Sequence, residues 1–217
     1  MRPDWTILIA TLGRRNACLE RLLAILMPQV EAAQGRVTVL ALRNHGGDVA
    51  RFRNQLVEAA PGRYISFVDD DDMVPEYFVR EVLPLLDGVD YIGWRMQAFQ
   101  DGMRLVPTYH SLAFGEWRQD GSGFYRDVSH LNPVRRELTE GCTFSGRQED
   151  REWAAQLRPR LRTEHVIDRE MYQYYWVTSD SVTSDTARQH GGGPDQLPDV
   201  PLGPYFSWHP ASILCAP

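Results

Sequence analysis

Three times within its first 86 residues the chain sets a short apolar run before a segment of helical periodicity. Trp5 to Ala10 is strand-sized, and Thr11-Leu12-Gly13 turns it. Arg14 to Leu26 then carries apolar residues at 19, 22, 23 and 26, one helix face, with Pro28 as its expected stop. Val37 to Leu42 leads through the turn Asn44-His45-Gly46-Gly47 into Val49 to Ala60, apolar at 52, 56, 57 and 60 and closed by Pro61-Gly62. Tyr64 to Val68 is the third strand, and Pro75 to Leu86 the third helix. Short buried strands separated by helices predict a parallel sheet covered on both faces. Such sheets bind ligands outside the carboxyl ends of their strands. Thr11, Arg43-Asn44-His45 and Asp69-Asp70-Asp71-Asp72 all fall at those ends.

After residue 88 the pattern changes. Asp90 to Phe99 and Met103 to Tyr109 predict a hairpin around Gln100-Asp101-Gly102. Phe124 to Arg126 reads as a strand, Pro133 to Leu138 and Gln148 to Leu157 as short helices, and Glu164 to Ile167 and Met171 to Val177 as late strands. This divides one domain, 1–178, into halves at 1–88 and 89–178. A tail, 179–217, is rich in Ser, Thr, Asp, Gly and Pro, yet ends in Tyr205-Phe206-Ser207-Trp208. It is expected to be irregular and packed back on the domain.

Charge and cysteines narrow the function. The formal net charge of −6 disfavours a general nucleic-acid coat, which needs many cations to release counterions. All 23 basic residues are Arg, so lysine chemistry is excluded. Cys18, Cys142 and Cys215 are odd in number and form no C-x-x-C pair, against a zinc site or disulfide framework. No apolar run reaches the length of a membrane span, and the N-terminus lacks a signal-peptide pattern. A cytoplasmic protein is expected.

The four aspartates are the main chemical signal. Adjacent carboxylates at the end of a buried strand repel one another unless a cation is near. Hard ions such as Mg²⁺ or Mn²⁺ take oxygen ligands and bridge a carboxylate to a substrate phosphate. The competing reading is a solvated loop, or acids favouring a helix start. Glu149-Asp150 is a second acidic pair, which by itself reads equally as the first turn of a helix.

Taken together these motifs resemble the family-2 glycosyltransferases of the GT-A fold, from about Trp5 to Trp176. Ile9-Ala10-Thr11-Leu12-Gly13-Arg14 is similar to the family's opening P-T-x-N-R, with Ala10 for Pro and Gly13 for Asn. Arg53-Asn54 is similar to its A-R-N. Tyr64 to Asp72 resembles the strand carrying D-x-D-D, Gly146 to Trp153 the later E-D motif, and Tyr172 to Trp176 the aromatic last strand. The family's acidic pair after the second strand is replaced by Arg43-Asn44-His45.

The resemblance implies a GT-A type, Rossmann-like, mostly parallel sheet with helices on both faces and a smaller antiparallel acceptor-side hairpin. It implies a Mn²⁺- or Mg²⁺-dependent inverting transferase that moves one sugar from a nucleoside-diphosphate sugar, a UDP-sugar by expectation, to a hydroxyl. In that reading Asp71 is the chief metal ligand, with Asp69 on ribose or metal and Asp72 supporting the metal shell. Thr11, Asn44, Arg53, Asp69 and Asp70 lie toward the donor, and Arg53 holds phosphate or braces the aspartates. Asp150, with Glu149, supplies the general base. His165, His190 or His209 could complete the metal shell, and His130 could face the acceptor. The acceptor stays open among glycan, protein, small molecule and a hydroxylated DNA base. Two other classes use the same residues: a nucleotidyl- or phosphotransferase, and a non-catalytic nucleotide-sugar-binding module.

Overall fold

The computed structural model describes residues 2–12, 15–44, 48–146, 148–176, 205–209 and 212–213, with backbone alone at 44 and in the last two stretches. The first half alternates as β1 (Trp5–Leu12), α1 (Asn16–Ala32), β2 (Val37–Asn44), α2 (Val49–Ala59), β3 (Tyr64–Phe67) and α3 (Phe78–Val82). The second half holds β4 (Tyr91–Gln100), β5 (Met103–Arg104), β6 (Thr108–His110), β7 (Arg118–Asp120), β8 (Gly123–Arg126), β9 (Val134–Arg135), α4 (Glu149–Leu157) and β10 (Glu164–Trp176). Two late strands, β11 (Tyr205–His209) and β12 (Ser212–Ile213), follow.

All the strands join one sheet. Its described path runs β12-β11-β2-β1-β3-β9-β4-β6-β8-β7, with β10 and β5 also paired to β4. The longest ladders are parallel: β1 with β2 from Trp5↔Val37 to Leu12↔Asn44, and β10 with β4 from Glu164↔Tyr91 to Trp176↔Gln100. β1 lies between β2 and β3, so the chain leaves it to one side and returns on the other. The carboxyl ends of β1 and β3 therefore form a topological switch point, the usual place for a ligand crevice.

Local sequence explains most elements. Asp48 caps α2 by accepting the Ala50 N–H at 3.0 Å. Asp101 (φ 49°) and Gly102 (φ 80°) supply the two left-handed residues of a tight hairpin turn between β4 and β5.

Four expectations are corrected. Pro28 does not stop α1 but sits inside it, on the exposed face, and the buried Val30 carries the helix on to Ala32. The third helix is shorter than Pro75 to Leu86: Pro84 falls in the 3₁₀ turn Leu83–Leu85 that follows α3. Val134–Arg135 is a strand, because it is captured between β3 and β4, and only Arg136–Thr139 turns helically. The two late strands are one, β10, with register shifts between Ile167 and Tyr172. In addition, part of the tail taken as irregular pairs antiparallel with β2 from Tyr205↔Leu42 to Trp208↔Val39.

Aromatic packing sets the relative position of the halves. Trp5, Phe78 and Trp94 form a buried chain, with centroids 5.3 and 5.5 Å apart, that joins β1, α3 and β4. A second chain runs from Phe67 through Phe144 to Trp153, at 5.5 and 5.0 Å, and docks α4 against the end of β3. Just past the four aspartates, Met73 and Gln173 exchange backbone hydrogen bonds of 3.0 and 2.9 Å, tying that loop to β10.

Candidate active site

The acidic loop leaves β3 at the switch point, and its four carboxylates have different surroundings. Asp70 is 2% exposed. It accepts from Thr11 Oγ1 at 2.8 Å, the Leu12 N–H at 3.0 Å and Arg15 Nη1 at 3.0 Å. Asp72 is 1% exposed and accepts from Tyr172 Oη and the Tyr175 N–H, each at 2.8 Å. The same Tyr172 hydroxyl accepts the Asp69 N–H at 3.0 Å, so one side chain clamps both ends of the run. Asp70 and Asp72 thus face inward and hold the loop. Asp69 and Asp71, with side chains 25% and 33% exposed, are the two that reach solvent. Arg15 Nη1 lies 2.7 Å from Asp71.

Arg53 links this loop to the second acidic pair. Its guanidinium donates to Asp69 Oδ1 at 3.0 Å and to Glu149 Oε1 at 2.8 Å, and lies 5.7 Å from the ring centroids of both Phe67 and Phe144. Glu149 is the first residue of α4 and is occupied by that ion pair. Asp150, beside it, accepts the Arg151 N–H at 2.8 Å and has no ion-pair partner among the described residues. A brace and a free carboxylate therefore stand next to each other at one helix start.

The electrostatics follow from crowding. Burial raises the Asp71 carboxyl to about 6; Arg15 opposes this, while Asp69 and Asp70 add to it. Burial also raises Asp70, against Arg15 and the Thr11 hydroxyl. Asp72 goes up through burial and the charges of Asp69 and Asp71. Burial lowers Arg53, but Asp69, Glu149 and Asp150 outweigh it and the guanidinium stays firmly charged. Among the described residues the loop sets four carboxylates against Arg15 and Arg53, and a cation would relieve their crowding. The described residues hold no cluster of three or more His, Cys, Asp or Glu able to bind a metal by themselves. An ion such as Mg²⁺ keeps waters and needs only one or two carboxylates plus substrate phosphates. Asp71, with Asp69, fits that demand.

Of the other expected residues, Thr11 is buried with its hydroxyl on Asp70, a brace to the loop. Asn44 ends β2 opposite Leu12, at the carboxyl edge of the sheet; its side chain lies outside the described residues, as do His190 and the side chain of His209. His165 is corrected. It is exposed near the start of β10, while the acidic loop meets that strand at Gln173, roughly 25 Å further along at about 3.3 Å per residue. His130 is buried, its Nε2 4.0 Å from Asp69, and burial together with Arg53 pushes its pKa well down. Arg15, and the Tyr172 hydroxyl as a clamp on the acidic loop, carry no expectation from the sequence. The signals available were the basic pair after the β1 turn and a tyrosine on the late aromatic strand.

The chain is a doubly wound α/β domain with acidic residues gathered at its switch point. Residues 20–143 match the family model described as glycosyl transferase family 2, more than half of the chain, and the chain belongs to that family. It is a glycosyltransferase domain. Among solved structures it is similar to S. aureus TarS 1-349 in complex with UDP-GlcNAc: TM-score 0.58, 19% identity, 79% of this chain and 58% of that one. It is also similar to TarS 1-349 alone, with TM-score 0.57, 16% identity and coverage of 79% and 60%. Against the longer TarS structure the values are 0.56, 17%, 81% and 37%. At these identities the likeness is one of fold, and the chain spans at most about 60% of those proteins. No curated protein sequence matches the chain.

Proposed function

We propose that this chain transfers one sugar, with inversion, from a nucleoside-diphosphate sugar to an acceptor hydroxyl, using a divalent cation. The observation that carries this reading is Arg53. It joins Asp69 of the loop to Glu149 of α4, so the two acidic stations belong to one site and Asp150 is left free. A UDP-sugar is the donor of choice, supported by the family and by the likeness in fold to TarS in complex with UDP-GlcNAc.

Asp71 and Asp69 would hold Mg²⁺ or Mn²⁺ with the donor diphosphate, and the ion would neutralise charge on the leaving group. Asp70 and Asp72 keep the loop in place. Asp150 takes the proton of the acceptor hydroxyl as its oxygen bonds to the anomeric carbon. The bond from that carbon to the diphosphate breaks, and its electron pair leaves with the nucleoside diphosphate. Glu149 acts through Arg53 and is a positioning residue. Among the described residues no helix is long and apolar enough to cross a membrane.

Calorimetry with UDP, GDP, CDP and TDP, each with Mn²⁺ or EDTA, tests the donor site. One nucleotide should bind with metal only, and Asp71→Ala should remove it. Asp150→Asn should then cut transfer about 10²- to 10⁴-fold while leaving nucleotide binding intact. Nucleotide binding that ignores metal and Asp71, or release of pyrophosphate instead of a nucleoside diphosphate, would sink the reading.

A further inference from the structure

Near Asp150 stands a cation that makes no ion pair among the described residues. Arg126, the last residue of β8, is half-buried with its guanidinium carbon 4.3 Å from the centroid of the Trp117 ring. Arg118 and Arg169 lie closer to an aromatic ring, at 3.9 Å over Tyr125 and 3.5 Å over Tyr77, and each also holds a carboxylate, Asp120 and Glu81. Arg126 holds none within ion-pair distance among the described residues. Arg151, in the first turn of α4, places its guanidinium carbon 5.4 Å from the same indole and likewise has no ion pair there.

The surroundings leave this charge in excess. The groups that act on Arg126 are Asp150 and Tyr174, and its charge is felt by His110 and His130. Both histidines are buried and kept neutral, His110 pushed down to about 3. Burial, only partly opposed by Asp150 and Tyr174, lowers the Arg126 pKa. A half-buried guanidinium with no ion pair among the described residues carries a desolvation cost that a bound anion would offset. Arg151 follows Asp150 in the first turn of α4, and Arg126 shares the Trp117 indole with it, which sets Arg126 on the Asp150 side of the site.

We propose that Arg126 and Arg151, both lying on the Trp117 indole beside Asp150, bind an oxyanion of the acceptor, a phosphate ester or a carboxylate, next to the hydroxyl that receives the sugar. This rests on the transferase reading and names its acceptor class: a hydroxylated anion.

The test titrates glycerol 1-phosphate, glycerate and glycerol by calorimetry into wild type, Arg126→Gln and Arg126→Lys, with and without UDP and Mn²⁺. Circular dichroism melts check that each variant is folded. Glycerol 1-phosphate or glycerate, or both, should bind where glycerol does not, and the two arms say which oxyanion is preferred. Arg126→Gln should weaken anion binding about tenfold or more, while Arg126→Lys retains most of it. Raised salt should weaken it too, and UDP affinity should be unchanged in both variants. Equal binding of the three probes, or an indifferent Gln variant, overturns the proposal. So does loss of UDP binding in Arg126→Gln, which would move Arg126 to the donor. Failure of wild type to bind UDP overturns the transferase reading instead, and the nucleotide-free titrations still report the anion site by themselves.

Discussion

At the residue scale, the acidic loop shows how function is set against stability. Asp71 has a folded pKa of about 6, above its value in an unfolded chain. Its charged form is disfavoured by folding, so the cost is full above about pH 6 and vanishes below about pH 4, where both states hold the proton. With the side chain a third exposed, solvent screening trims this to about 1 kcal/mol. Asp71→Asn should therefore raise the metal-free melting temperature at pH 7 by about 2–4 °C, lose that advantage at pH 4, and abolish metal-dependent nucleotide binding. Arg53 behaves oppositely. Buried between two carboxylates and two phenyl rings, it leaves Asp69 and Glu149 unpaired when removed. Arg53→Ala should cost about 3–5 kcal/mol in denaturant unfolding and lower turnover as well.

At the element scale, two features depart from ideal geometry. α1 tolerates Pro28 on its exposed face, where the missing N–H costs a helix bond. Pro28→Ala should stabilise the fold by up to about 3 kcal/mol without touching nucleotide binding; a loss of stability would show that the helix depends on its proline. β4 needs Gly93, because a Cβ there would stand 2.3 Å from the His110 carbonyl oxygen on β6. Gly93→Ala should cost about 2–3 kcal/mol by forcing those strands apart, read as a lower denaturation midpoint. β6 and β8 are parallel neighbours, so the damage should reach the Arg126 end of the sheet.

At the scale of the whole molecule, the site is a junction. The loop after β3, the start of α4 and the end of β10 meet through Arg53, Tyr172 and the Met73–Gln173 bridge, and the Phe67–Phe144–Trp153 stack holds α4 in place behind them. A donor bound across such a junction stabilises every element it joins. UDP with Mn²⁺ at about 100 times its dissociation constant should add about 2.7 kcal/mol. That is a rise of about 5–10 °C in melting temperature, which EDTA should erase.

The early strands, the helices between them and the place of the acidic run were legible in the sequence, because they depend on local periodicity and on the order of strand and helix. The four aspartates were legible as a candidate site for the same reason, whereas Glu149-Asp150 by itself read equally as the first turn of a helix, where it lies. Tertiary structure decided which of them face outward. Asp70 and Asp72 turn inward because Thr11, Leu12, Tyr172 and Tyr175 meet them from strands remote in sequence, and no local pattern encodes those contacts. It also decided that Glu149 is a brace and Asp150 is free, since Arg53 comes from another helix. Val134–Arg135 became a strand, and Pro28 stayed helical, because packing energies of several contacts outweigh the small intrinsic preferences that sequence reading relies on.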